Sequence, residues 1–291
     1  VRDQSFICID MPEAEYCSIE AINHSTLKCI HPTPLHLQAH VLAEQEEEEA
    51  AVLRMGQLIH GSLFRPHFRD SLVVKPATLN MNSKEGRALR EETERCGRQL
   101  LSVADWEVII GCSESIRRHP FAKRLLQRGY AEVGVFCPYF FEDGNVPRSS
   151  VLRKGRIDWV PPGNTLVDVK SVPYAGADPR SFARAISQFQ YHQQAAFYLD
   201  LWNACGAVAE RLPQFWQPKE IFLFIVVEKE PPFAVATYQL GEESIELGRR
   251  QWMADIERYW ECRRTGQWPG YPEEPTLIDV PGVERRLREA P

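Results

Sequence analysis

The stretch GRIDWVPPGNTLVDVK, residues 155–170, reads as two apolar strands joined by a turn, yet it carries Asp158, Asp168 and Lys170. Apolar residues alternate with polar ones on both arms, and PPGN between them is a turn signal. Taking Pro161 to Thr165 as the turn pairs Val160 with Leu166, Trp159 with Val167 and Asp158 with Asp168. Alternation then gathers Ile157, Trp159, Val167 and Val169 on one face, and Arg156, Asp158, Asp168 and Lys170 on the other. A slip of one residue would bury charge, so the pattern itself favours this register.

Opposed carboxylates have Cβ atoms ~4.5–5.5 Å apart and repel unless something positive lies between them. The hairpin alone leaves two answers. One is a divalent cation in a hard, oxygen-rich site, which suits Mg²⁺ or Mn²⁺ better than zinc. The other is neutralisation by Lys170 or Arg156 in a structural ion-pair cluster. Two further segments bear on the choice. MGQLIHGSL sets Gly56 and His60 one turn apart on a helix, so that the helix approaches closely at the glycine and presents the imidazole from the same face. QFQYHQQAAFYLD sets Gln194 and Tyr198 at i and i+4, with Gln190 extending the polar stripe by a turn. Taken singly, the first is more often a packed core histidine and the second more often a surface ridge.

The rest of the chain is that of a globular protein. Its 291 residues are 44% hydrophobic and 25% charged, enough for a sizeable core. No apolar run approaches the ~18 residues of a membrane span, and VRDQSFICIDMPEAE has no leader-like apolar segment, so a cytoplasmic protein with no membrane partner is expected. The eight cysteines include no C-x-x-C pair, which argues for reduced thiols and against a zinc ribbon or an iron–sulfur cluster. No nucleotide cofactor is expected. A net charge of −6 removes the argument from a globally basic surface. The clusters RRHPFAKRLLQR (117–128) and RSSVLRKGR (148–156) can still line a groove for phosphates, or be solvated faces.

Residues 1–50 read as a peripheral helical segment, with Ser25 as N-cap of TLKCI and an acidic run EQEEEE at 44–49; residues 51–291 read as one compact unit. AVLRMGQLIHGSLF is helical, and a long helical region spans roughly 83–127 with breaks near Gly111 and Pro120. VGVFCPYFF, VLRKGRIDWV and TLVDVKSV are strands separated by EDGN and PPGN turns. Asp178-Pro179 opens a helix expected to run through to Gly206. IFLFIVVE and AVATYQL form another strand pair, and an amphipathic helix covers about 242–265. The expected class is mixed α/β, a central mixed sheet flanked by helices.

At these residues the chain resembles the PD-(D/E)xK nuclease superfamily, in its RecB-like branch. The pattern G-x-x-x-H, Asp, (D/E)-x-K, Q-x-x-x-Y is met in order by Gly56/His60, Asp158, Asp168/Lys170 and Gln194/Tyr198. Each part is weak, and together on helix, hairpin and helix they are specific. Within the branch the chain is most similar to the RecE-type, exodeoxyribonuclease VIII group of phage-type recombination exonucleases. HSTLKCIHPTPLHLQAH, MGQLIHGSLFRP, KGRIDWV, LVDVKSV, YHQQAAFYLD and WPGY carry that likeness, whereas 66–130 match loosely. Asp168 stands where much of the superfamily has Glu.

The resemblance implies a restriction-endonuclease-like sheet, with His60, Asp158, Asp168 and the carbonyl of Val169 as metal ligands. It implies that Lys170 positions or activates the attacking water, that Gln194 and Tyr198 orient the lysine, the water or the DNA backbone, and that Glu132 in YAEVGVF is an additional acid. The activity implied is a Mg²⁺-dependent exonuclease, with Mn²⁺ substituting, acting 5′ to 3′ on double-stranded DNA ends and leaving 3′ tails for recombination. A homo-oligomeric ring and a single-strand annealing partner are implied with it. The rivals are a same-core nuclease acting on other DNA, as endonuclease or single-strand trimming enzyme, and an inactive DNA-binding or assembly module. A metal role for Asp168 predicts that Asp168→Asn loses cleavage with the fold as steady or steadier.

Overall fold

The computed structural model describes residues 4–9, 11–43, 51–141, 149–211 and 213–278; the acidic run at 44–49 and the EDGN turn lie outside them. The chain opens with the short strand β1 (Phe6–Cys8) and the helices α1 (Glu13–Ser18), α2 (His24–Leu27) and α3 (Pro34–Ala43). Helix α4 (Ala51–Phe64) follows, then the parallel pair β2 (Leu72–Val74) and β3 (Gln99–Leu101) with α5 (Lys84–Arg95) between them. Helices α6 (Val103–Arg118) and α7 (Pro120–Leu125) lead into the meander β4 (Tyr130–Phe140), β5 (Ser150–Val160) and β6 (Thr165–Val172). Helices α8 (Pro179–Gln188) and α9 (Tyr191–Ala204) cross to β7 (Ile221–Glu228), β8 (Val235–Gln239) returns beside it, and α10 (Glu242–Thr265) follows.

The main sheet runs β1-β4-β5-β6-β7-β8, antiparallel except for β6 against β7. A parallel pair needs a crossover, which α8 and α9 supply. IFLFIVVE shows no alternation because β7 is covered on both faces. Phe222, Phe224 and Val226 meet one layer, with Phe182, Phe197, Trp202 and Trp252 from α8, α9 and α10. Leu223, Ile225 and Val227 meet the other, with Leu58, Ile59, Ile109 and Ile116 from α4 and α6. The fold is therefore the mixed, helix-flanked sheet expected. No helix among the described residues is long and apolar enough to cross a membrane, and all eight cysteines are free.

Four local expectations change. The N-terminal segment is not peripheral: β1 extends the sheet beside β4, and Leu27, Ile30 and Leu37 are fully buried. The N-cap of α2 is Asn23, whose Oδ1 accepts from Thr26 N at 2.7 Å, while Ser25 donates its hydroxyl to the same oxygen. Helix α6 passes through Gly111 unbroken, because the glycine is a notch filled by the Phe233 ring. The helix opened at Pro179 stops at Gln188, since Gln190 adopts a left-handed backbone (φ 57°) and begins a new helix instead of extending the polar stripe.

Helix α9 is held from behind by a close backbone approach. A Cβ at Gly248 of α10 would overlap the His192 carbonyl and sit 2.9 Å from Gln193 Cα, one residue from Gln194. Overpacking typically costs ~1–3 kcal/mol, and backbone on the far side leaves no rotamer to relieve it. Gly248→Ala is thus expected to lower stability by about 3 kcal/mol in urea unfolding, and an unchanged midpoint would show that α10 can lift from α9 freely.

Candidate functional site

Where β5 enters the turn, Trp159 pairs with Val167, the register read from the sequence. Beyond that pair the ladder opens, and Asp158 Oδ2 accepts the Val169 N–H at 2.8 Å. The aspartate thereby satisfies a backbone donor that the strand would otherwise leave unpaired. On the other edge of β5, the pairs Ala131↔Trp159 and Val133↔Ile157 flank Glu132 and Asp158, which do not pair. Glu132 sits at φ 47°, so the ladder is interrupted by one unpaired residue on each strand while the register is the same on both sides.

This irregularity breaks the alternation. Ile157 joins the α9-side core, whereas Trp159, Val167 and Val169 pack on the α4 side. Arg156 turns to Glu132 at 3.3 Å and to the Met11 carbonyl, not to the face of Asp168 and Lys170. The two faces expected for the hairpin are corrected accordingly: an alternating pattern contains no sign of a local break in the strand.

Asp168 and Lys170 lie on the same side of β6, facing α9. Gln194 Nε2 donates to Asp168 Oδ1 at 2.9 Å, and Lys170 Nζ donates to Gln194 Oε1 at 3.1 Å. Lys170 Nζ also lies 2.7 Å from Asp168 Oδ2, an ion pair. The ammonium is thus the partner of this buried oxygen. Burial pulls the Lys170 ammonium down, but the carboxylates of Asp168 and Asp158 outweigh it and hold it above its ordinary value. The Tyr191 ring lies beneath this ammonium, 4.5 Å from centroid to Nζ. Tyr191 was not singled out from the sequence, although it lies three residues before Gln194 on the same helix and hence on the same side.

Tyr198 packs on Gly155, where a Cβ would come within 3.1 Å of its ring. Burial pushes its phenol well above the ordinary value, so it stays protonated. The Lys170 contact also corrects two expectations. Asp168 has a positive partner from its own chain, so the closeness of the acids does not by itself demand a divalent ion. Asp168→Asn would strip a buried lysine of its counter-charge, which makes a steadier fold the wrong expectation.

His60 of α4 reaches the same strand from the opposite layer. Its Nε2 lies 2.8 Å from the Val169 carbonyl, which fixes the proton on Nε2 and leaves Nδ1 facing Asp158 Oδ1 at 3.6 Å. That gap is too long for a hydrogen bond. At Gly56 a Cβ would meet Ser171 Oγ at 3.9 Å, an ordinary contact, so the glycine is not what permits the approach of α4. Burial pushes the Asp158 carboxyl up to about 6, against the pull of His60, with Asp168 adding to the rise.

Val169 thus separates two clusters, His60 with Asp158 and Asp168 with Lys170 and Gln194. Among the described residues no three His, Cys, Asp or Glu side chains form a group able to hold a metal. The donors nevertheless fit a hard divalent ion. Two carboxylates and a main-chain carbonyl lie close together around Val169, and the Nε2–H of His60 is anchored on a carbonyl as the second nitrogen of a ligating histidine is. A cleft of about 600 Å³ opens on His60 and Asp158, with Arg54, Gln57, Arg65, Glu132 and Arg156 in its walls. Glu132 reaches this cleft, but its carboxylate is taken by Arg65, at 2.6 and 2.8 Å, and by Arg156.

Comparison with known proteins agrees with this architecture. A crystal structure of a Eubacterium rectale protein, provisionally described as an exonuclease, is similar with a TM-score of 0.58 and 12% identity. The match covers 96% of this chain and 98% of that one, and shows a shared fold. The structure of SSO0001 matches over 74% of this chain and 92% of its own at 14% identity, with a TM-score of 0.28 too low to carry an argument. No curated protein matches. Residues 23–280, which span every element from α2 through α10, match the family described as a PDDEXK-like domain of unknown function (DUF3799), and the chain belongs to that family.

Proposed function

We propose that the protein is a metal-dependent DNA nuclease that hydrolyses phosphodiesters from double-stranded ends. The observation that carries this reading is the closed triangle of Asp168, Lys170 and Gln194, joined through Val169 to Asp158 and His60 beside an arginine-walled cleft. Burying two carboxylates and an ammonium around one strand costs desolvation free energy that stability alone does not call for, as is common where such groups serve chemistry. Asp158, Asp168, the Val169 carbonyl and His60 are the groups that would hold Mg²⁺, or Mn²⁺ in its place. Such an ion, when bound, supplies a water of lowered pKa and neutralises charge on the phosphoryl oxygens.

The chain's own groups do the rest. Lys170 keeps a fixed positive charge where negative charge grows on the phosphate. Gln194 hydrogen-bonds both the ammonium and the Asp168 carboxylate, which holds the two in place for the reaction. Tyr198, protonated throughout the neutral range, remains a hydrogen-bond donor.

The finer reading is 5′ to 3′ degradation that leaves 3′ tails for recombination, by a homo-oligomeric ring working with an annealing partner. Linear duplex labelled at one 5′ or one 3′ end, and covalently closed circles, test it in Mg²⁺ and in chelator. The expected result is early release of the 5′ label, intact circles and no cleavage in chelator. Cut circles would replace an exonuclease by an endonuclease. Binding without cleavage in either metal would leave a DNA-binding module.

A further inference from the structure

Glu132 is the one residue of β4 among those described with a left-handed backbone, at a cost of ~1–3 kcal/mol for a side-chain-bearing residue. Its carboxylate is only 16% exposed and meets Arg65 through both oxygens, Nε to Oε2 at 2.6 Å and Nη2 to Oε1 at 2.8 Å. Arg156 reaches Oε2 from the other side at 3.3 Å. One carboxylate thus serves two guanidiniums, and Glu13, at 3.9 Å from Arg65 and largely exposed, adds little. The fork that grips a carboxylate through two oxygens grips a phosphate in the same way, and a phosphate brings more acceptor oxygens for the second arginine. Both arginines wall the cleft that also holds His60 and Asp158.

We propose that Arg65 and Arg156 form a latched phosphate seat in which Glu132 stands in for the ligand until a nucleic-acid phosphate displaces it. This rests on the nuclease reading, whose substrate it would hold one step from the candidate centre. Arg65 exchanges readily because it is 39% exposed, whereas Arg156, at 21%, fixes the direction of the seat. The phosphate is either a terminal monoester or a backbone diester, and the two are separable by the choice of probe.

The test is binding in chelator, without cleavage, of three fluorescent duplexes: one with 5′-phosphates, one with 5′-hydroxyls, and one capped by hairpins at both ends. Glu132→Gln keeps the shape and removes the competing charge. It is expected to tighten binding by about tenfold and to steepen the log–log salt dependence by about one. A gain confined to the 5′-phosphate duplex assigns the seat to a terminal monoester, and an equal gain on all three assigns it to the backbone. Arg65→Gln in the Glu132→Gln background should erase the gain. If Glu132→Gln does not fold, Arg65→Gln alone must weaken binding about tenfold and flatten the salt slope. Wild-type binding that neither variant alters overturns the seat alone; absence of binding to all three duplexes overturns the nuclease reading with it.

Discussion

Lys170→Met is expected to lower phosphodiester cleavage by about 10²–10³-fold, the range for loss of one preorganised charge at a reacting centre. The same substitution leaves the buried Asp168 carboxylate with Gln194 but no cation, and breaking a buried pair costs ~3–5 kcal/mol. A loss of activity alone would therefore not separate chemistry from folding. The double variant Asp168→Asn/Lys170→Met does so, because it removes both charges and leaves a neutral pair of similar volume. Its stability in metal-free urea unfolding is expected to recover most of what the single variant loses, while cleavage stays at the single variant's level or below. Recovery of both together would make Lys170 a structural counter-ion and remove it from the reaction.

Much of this arrangement was legible in the residues themselves, for a physical reason. The Trp159–Val167 register follows from alternation and a Pro-Gly turn, both local, and so does the one-turn spacing of Gln194 and Tyr198. The mixed, helix-flanked class follows from strands interleaved with amphipathic helices along the chain. What local pattern does not encode is where a strand departs from its period. The unpaired Glu132 and Asp158 turn Ile157 away from Trp159 and send Arg156 to a different partner. The same limit hid the break at Gln190, which takes a left-handed backbone between α8 and α9 although it has no glycine-like signature. It also hid the sharing of Lys170, since alternation places a lysine beside an aspartate without saying which neighbour neutralises it. The arginine-walled cleft joins residues far apart in the chain, Arg65 after α4, Glu132 on β4 and Arg156 on β5, and no spacing rule links them.

Asp158→Asn separates the cost of the second acid from its use. The folded protein holds this carboxyl at about 6, above the 3.8 of an unperturbed aspartate, chiefly through burial. Between those two values the folded state keeps a proton that the unfolded chain has released. The stability tied to that proton is fully present below 3.8 and is lost as pH rises through about 6. Asparagine keeps an oxygen to accept the Val169 N–H and never ionises, so at pH 8 the metal-free variant is expected to exceed the native protein by ~1–3 kcal/mol, with the advantage vanishing near pH 4. Mg²⁺ should then reverse the order. Binding to the folded state alone raises native stability as RT ln(1 + [Mg²⁺]/Kd), while the variant, short of one carboxylate ligand, gains far less. Cleavage should fall by at least about 10²-fold in the same variant. Chemical unfolding across pH with and without Mg²⁺ measures both halves. A variant that is less stable at every pH, or a native protein indifferent to Mg²⁺, would mean that Asp158 serves the strand junction at Val169 and holds no ion.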